Sequence, residues 1–205
     1  MARYLDIHPV DPQPRLIAQA VAILHDDGLI AYPTDSGYAL GIQLGNKDGL
    51  ERIRAIRQLD DKHHFTLVCR DFSQLGQLVH IDNAAFRAVK AATPGPYTFI
   101  LPATAEVPKR LMHPKKRTVG VRLPDHPVVQ ALLAELGEPL LSSTLLLPGQ
   151  EESLTEGWQV KDELDQLLDA VIAGESGSVP TTVVDFTSGS PEVTRVGAGD
   201  SARFE

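Results

Sequence analysis

Through the first two-thirds of the chain, segments of helical period alternate with short apolar runs, and that alternation restricts the fold more than any other feature. Leu16, Ala20, Ile23 and Leu24 lie on one helical face over 14–26, with Pro14 near the start and Gly28 just past the end. Gly28 to Tyr32 then reads as a buried strand. The same alternation predicts a helix over 47–58, a strand at 65–69, a short helix from Asp71 to Val79 and a helix from Asp82 to about Ala92. After the break at Pro94-Gly95-Pro96 it predicts strands at 97–101 and 118–123, a helix over 128–136 closed by Gly137, and an apolar run at 140–147 around a hydroxyl triplet. A loop at 149–157, a polar helix over 159–169 and short strands at 170–173, 181–186 and 192–196 complete the reading. Strands in alternation with helices predict an α/β sheet, and the late cluster of short strands makes it a mixed one. No linker divides the 205 residues, so one domain spanning 1–205 is expected, with a loosely held tail from about 187.

Hydrophobic content of 42% and charged content of 22% are those of a globular protein. The N-terminus lacks the apolar core of a signal peptide and no apolar stretch approaches a membrane span, so a cytoplasmic location is expected. Cys69 is the single cysteine, which excludes an internal disulfide and a cysteine-based zinc cage. A net charge of −8 argues against wholesale coating of nucleic acid. The cations are nonetheless grouped: Lys109, Arg110, Lys115, Lys116 and Arg117 form one group, and Arg52, Arg54, Arg57 and Lys62 another. Solvated surface is the alternative reading of both.

Tyr32 to Gly41 ends an apolar strand in hydroxyls, a carboxylate and glycines. Pro33 is expected to stop the ladder, and Thr34, Asp35, Ser36 and Gly37 to form a loop that is either a small-ligand site or an ordinary strand exit. Other strand ends also carry hydroxyls or fixed positive charge: Ser142 to Thr144, Thr181, Thr182, Arg122 and Arg195. Ligands gather at strand ends in α/β sheets, and arginine forks match phosphate or carboxylate oxygens, so these groups are candidates for one anion site. No phosphate loop, dinucleotide fingerprint or nucleophile elbow is present, and His63-His64 lacks metal-site spacing, so no metal site is expected.

The order of motifs resembles the YrdC/YciO family. Tyr32-Pro33-Thr34-Asp35-Ser36-Gly37-Tyr38-Ala39-Leu40-Gly41 is similar to that family's YPT[ED]TVYGLG, Pro94 to Leu101 to its PGPxTxIL, and Thr118 to Pro127 to its TVAVRxPDHP. Pro180 to Asp185 and Arg195 with Gly197 resemble its closing segments. The resemblance implies an open, twisted α/β sheet with a concave basic face. It implies a site drawn from Thr34, Ser36, Tyr38, Arg57, His63, Arg122, Ser142, Thr144, Thr181, Thr182 and Arg195. It also implies ATP as substrate or ligand, with magnesium as the accompanying ion where one is used, and L-threonine as a partner. In the YrdC branch, threonine, bicarbonate and ATP give threonylcarbamoyl-AMP for tRNA modification.

Departures from that pattern are informative. Arg57-Gln58-Leu59 stands where the synthases carry Lys-x-Arg, and Leu146 where they carry asparagine. Each loss costs about 1.5–3 kcal/mol of phosphate binding if the groups act as in the synthases. These changes resemble the YciO branch. The expectation is a nucleotide- and RNA-binding protein, with synthase activity as its extension. The alternative is a non-catalytic binder of double-stranded RNA or a ribosomal partner, through Arg54, Arg57 and Lys62.

Overall fold

The computed structural model describes residues 1–59, 63 and 65–204. Its centre is a ten-stranded open sheet, whose strands in chain order are β1 (Arg3–Leu5), β2 (Ile30–Thr34), β3 (Gly37–Gln43), β4 (Thr66–Val68), β5 (Tyr97–Pro102), β6 (Thr118–Arg122), β7 (Leu140–Thr144), β8 (Ala170–Ile172), β9 (Thr182–Asp185) and β10 (Glu192–Arg195). They lie in the order β1-β8-β2-β3-β7-β4-β6-β5-β9-β10. Four pairings are parallel (β1/β8, β2/β8, β4/β6 and β5/β9) and the other five antiparallel, so the sheet is mixed as expected. Around it pack α1 (Pro14–His25), α2 (Lys47–Arg57), α3 (Phe72–Leu78), α4 (Asn83–Ala92), α5 (Pro127–Leu136) and α6 (Gly157–Leu164).

Local chemistry sets most of these boundaries. Pro14 and Pro127 open α1 and α5 where a missing N–H costs nothing. The side chains of Asn46, Asp71 and Asp82 accept from the first-turn N–H groups of α2, α3 and α4. Gly137 closes α5 at φ +74.

Strand alternation divides the core into two layers. On one face Tyr32, Val68, Leu140 and Ile172 pack beneath α1 and α5 with Val21, Leu24, Val129 and Leu132. On the other, Leu40, Leu67, Phe99, Val121, Leu141 and Val184 join the larger cluster. The α1–α5 cover stops short. Two residues along from Val68 and Leu140, on the same face, stand Thr66 and Ser142, and these line an open cavity instead of meeting a helix.

Three readings of the sequence are corrected, and one strand is new. Tyr32 to Gly41 is a tight hairpin in which Pro33 pairs with Tyr38, not a loop beyond a stopped ladder. Proline is tolerated there because β8 reaches only Ile30 and Ala31, leaving that edge of β2 unpaired beyond them. The segment from 187 is no loose tail: β10 pairs with β9, and Phe204 is buried against Tyr97, Phe99 and Phe186. The helix expected at 159–169 ends at Leu164, where the carboxylate of Asp165 accepts from the Ala2 N–H and pairs with Lys161. β1 is an addition, three residues long and paired with a segment far away in the sequence.

Candidate functional site

The uncovered part of the sheet is the floor of a cavity of about 470 Å³, within the usual range for a small-molecule site. Ser142, Thr66, Gly120 and Ile100 form one transverse row across neighbouring strands, with Thr98 and Val183 side by side next to it. Gly120 matters because a Cβ there would lie 3.3 Å from both Thr66 Oγ1 and Thr98 Cγ2. Its bare backbone keeps the middle of the floor low.

Three guanidiniums reach this space. Arg122, at the end of β6, is 7% exposed and ion-paired with Asp35, and its buried Nε has no hydrogen-bond partner among the described residues. Arg195, at the end of β10, donates from Nε to the Thr181 carbonyl (3.0 Å) and from Nη2 to Thr181 Oγ1 (2.9 Å). Burial, and then the like charge of Arg122, hold the Arg195 guanidinium below its ordinary pKa. Arg57, the last residue of α2, donates from Nη1 to Ser143 Oγ (2.6 Å) and from Nε to the Leu146 carbonyl (3.3 Å), and lies 3.3 Å from His63 Nε2. Burial lowers its pKa also. An anion beside Arg195 would offset the like charge of Arg122.

The expected site residues divide into three sets. Arg57, His63, Arg122, Ser142, Thr144, Thr181 and Arg195 come together on the cavity. Ser142 shares a 2.7 Å hydrogen bond with Tyr32, whose hydroxyl pKa burial pushes up to about 12. Thr34 and Ser36 instead build the hairpin turn. Thr34 Oγ1 donates to the Gly37 carbonyl (2.6 Å) and accepts from the Ser36 N–H (3.1 Å), and both residues are buried. Tyr38 and Thr182 face away from the cavity. The Tyr38 hydroxyl lies 2.8 Å from both the Ile172 and the Gly174 carbonyl oxygens, and Thr182 Oγ1 donates to the Gly199 carbonyl while accepting from the Gly197 N–H. Of the cations assigned to RNA, Arg54 pairs with Glu51 and lies over the Phe65 ring, Arg57 belongs to the cavity, and Lys62 falls outside the described residues.

Other residues lining the cavity or lying beside it were given no role by the sequence reading. Thr98 and Gly120 stand two positions from Ile100 and Arg122, so period-two counting along the strands finds them. Asp35 is the counter-ion of Arg122, and its second oxygen accepts from the Asp125 N–H at 3.1 Å. His126 follows, held below its ordinary pKa by burial against the opposing pull of Asp35. Glu151, Glu152 and Ser153 also line the cavity, from the segment between β7 and α6, where no periodicity marks them. Among the described residues, no group of three or more His, Cys, Asp or Glu is placed to hold a metal ion, and no helix is long and apolar enough to cross a membrane.

With this geometry in place, comparison with known proteins assigns the lineage. The profile of the Sua5, YciO and YrdC proteins, described as "Telomere recombination", matches residues 22–197. The chain belongs to this family. It is 51% identical to the YciO protein of Escherichia coli (strain K12) over 205 residues, covering 100% of both chains, and the crystal structure of E. coli YciO superposes with a TM-score of 0.96 over all of both. A threonylcarbamoyl-AMP synthase of Vibrio vulnificus (strain YJ016) is 35% identical over 164 residues, covering 78% of this chain and 87% of the synthase. The P. abyssi Sua5 structure complexed with L-threonine shares the fold at a TM-score of 0.86 and 24% identity, over 96% of this chain and 57% of the other.

Proposed function

We propose that this family member binds an adenine nucleotide in the cavity, with the phosphate between Arg122 and Arg195 and L-threonine as the co-substrate. The carrying observation is the convergence of Arg122, buried at the end of β6, and Arg195, at the end of β10, on a cavity that also presents the hydroxyls of Thr66, Thr98 and Ser142 and the bare backbone of Gly120. Formation of threonylcarbamoyl-AMP is the reaction such a site supports, through positioning and charge stabilisation without a protein nucleophile. The 35% identity to a threonylcarbamoyl-AMP synthase supports that class. Leu146, which lines the cavity beside Arg57, makes the chemistry weak relative to nucleotide binding. A magnesium ion in this site would arrive with the phosphates. Incubation with ATP, bicarbonate and labelled threonine, with equilibrium nucleotide binding measured in parallel, tests the reading. Saturable binding that falls at least tenfold in Arg195→Ala, with slow product and pyrophosphate release, is expected. Absence of binding by every adenine nucleotide overturns it.

A second reading has its own observation. Lys109, Lys115, Lys116 and Arg117 are exposed, and among the described residues none has a carboxylate within ion-pair distance. They sit on the β5–β6 connection, at the opposite end of β6 from Arg122, about 13 Å away along the strand. The connection is anchored by buried Val107, Leu111 and Met112, and Arg110 donates to the Leu44 and Gly45 carbonyls. RNA binding therefore belongs to this surface and not to Arg54 and Arg57, with phosphates as its target. A Lys115→Glu/Lys116→Glu variant is expected to lose about tenfold in affinity for a short RNA duplex at low salt. Unchanged affinity, or no binding by the parent protein, removes this reading.

A further inference from the structure

The Tyr32 hydroxyl lies under the cavity floor and reaches it through one neighbour. Tyr32 is on β2 and Ser142 on β7, with β3 running between them. Gly41 of β3 pairs with Ser142 on one side and with Ile30 of β2 on the other. A Cβ on Gly41 would lie 2.7 Å from Tyr32 Cε1, so the missing side chain is what lets the Tyr32 ring cross β3. The ring is fully buried in the layer beneath α1 and α5 and does not line the cavity, and its hydroxyl ends 2.7 Å from Ser142 Oγ. Among the described residues neither hydroxyl has another hydrogen-bond partner.

The direction of that bond follows from what each group would lose. Two hydroxyls share one bond, so one of their two hydrogens is left over. If Ser142 donated, the leftover hydrogen would be the phenolic one, buried with no acceptor, at the cost of an unmade bond. If Tyr32 donates, the leftover hydrogen is on Ser142, which faces the open cavity. Burial pushes the Tyr32 pKa up to about 12, so the phenol keeps its proton and stays a donor. We propose that Tyr32 is a positioning residue of the nucleotide site: by donating to Ser142 it makes the serine hydroxyl a fixed donor toward a phosphate oxygen of the ligand. The inference rests on the nucleotide reading above and deepens it. Neighbouring hydroxyls are set in the same way. Arg57 Nη1 donates to Ser143 Oγ (2.6 Å) and Arg195 Nη2 to Thr181 Oγ1 (2.9 Å), and a guanidinium cannot accept in return. Thr181 Oγ1 in turn lies 2.8 Å from Thr98 Oγ1, so one hydrogen of that pair is likewise left over. A surface that only donates suits an oxyanion and turns away an ammonium group.

Titration calorimetry with AMP and with adenosine, on the intact parent protein, Tyr32→Phe, Ser142→Ala and the double variant, separates this role from simple packing. Tyr32→Phe keeps the buried ring. Its AMP affinity is expected to fall about fivefold, while adenosine, with no phosphate to present, binds as it does to the parent. In the double variant AMP should bind as it does to Ser142→Ala alone, because Tyr32 acts only through that serine. Equal losses for AMP and adenosine, losses that multiply in the double variant, or no loss for AMP each overturn the inference and leave nucleotide binding standing. A neutron structure of ligand-free crystals grown in D2O reads the bond direction independently. The Tyr32 deuteron is expected between the two oxygens and the Ser142 deuteron toward the cavity, and the reverse arrangement overturns the inference. If no adenine nucleotide binds the parent protein, the nucleotide reading fails, and the neutron structure still decides the direction of the bond.

Discussion

At the scale of single residues, the site depends on side chains that never touch the cavity. Thr182 is completely buried, and its hydroxyl both donates to the Gly199 carbonyl (2.6 Å) and accepts from the Gly197 N–H (2.9 Å). It ties the closing segment to β9 beside Thr181, the residue that receives Arg195. Thr182→Val keeps the shape and strands both backbone groups, so it should cost about 2 kcal/mol. The expected consequence is a fall in Tm of roughly 4–8 °C, with weaker nucleotide binding as Arg195 loses its seat. An unchanged Tm contradicts this role. Cys69 is the counter-case: burial pushes its thiol up to about 12, so it is a packing residue with no part in the chemistry.

At the scale of elements, helices and central strands were legible because their signals are local. The caps Asp71 and Asp82, the opening prolines and Gly137 each fix a boundary through bonds to residues within one turn. Legibility failed where distant pairing decides. β1 exists because β8 offers it an edge, and three residues carry too little pattern to announce it. Pro33 misled for the same reason: a proline breaks a strand only where its N–H is required, and the missing β8 partner removes that requirement. The site shows the same split. Arg122, Arg195, Ser142 and Thr181 were legible as charged or hydroxyl groups at strand ends. Asp35 was visible but its role was not, since an ion pair across 87 positions leaves no trace in spacing. Glu151 and Glu152 lie in irregular chain, where only the fold brings them over the floor.

At the scale of the whole molecule, function follows from incomplete cover. The α1–α5 pair shields one half of a sheet face and leaves the other half bare, and the bare half collects the hydroxyls, glycine and arginines that a packed face would exclude. A chain of net charge −8 can still hold an anion locally, because three arginines, Arg57, Arg122 and Arg195, line one cavity. The central claim is that a nucleotide phosphate belongs between Arg122 and Arg195. The most direct measurement is a crystal structure of the protein with bound AMP. The account predicts phosphate oxygens within hydrogen-bond distance of both guanidiniums, Asp35 still paired with Arg122, and the remainder of the ligand inside the cavity. A nucleotide seated outside the cavity, or one inside it whose phosphate meets neither arginine, contradicts the claim.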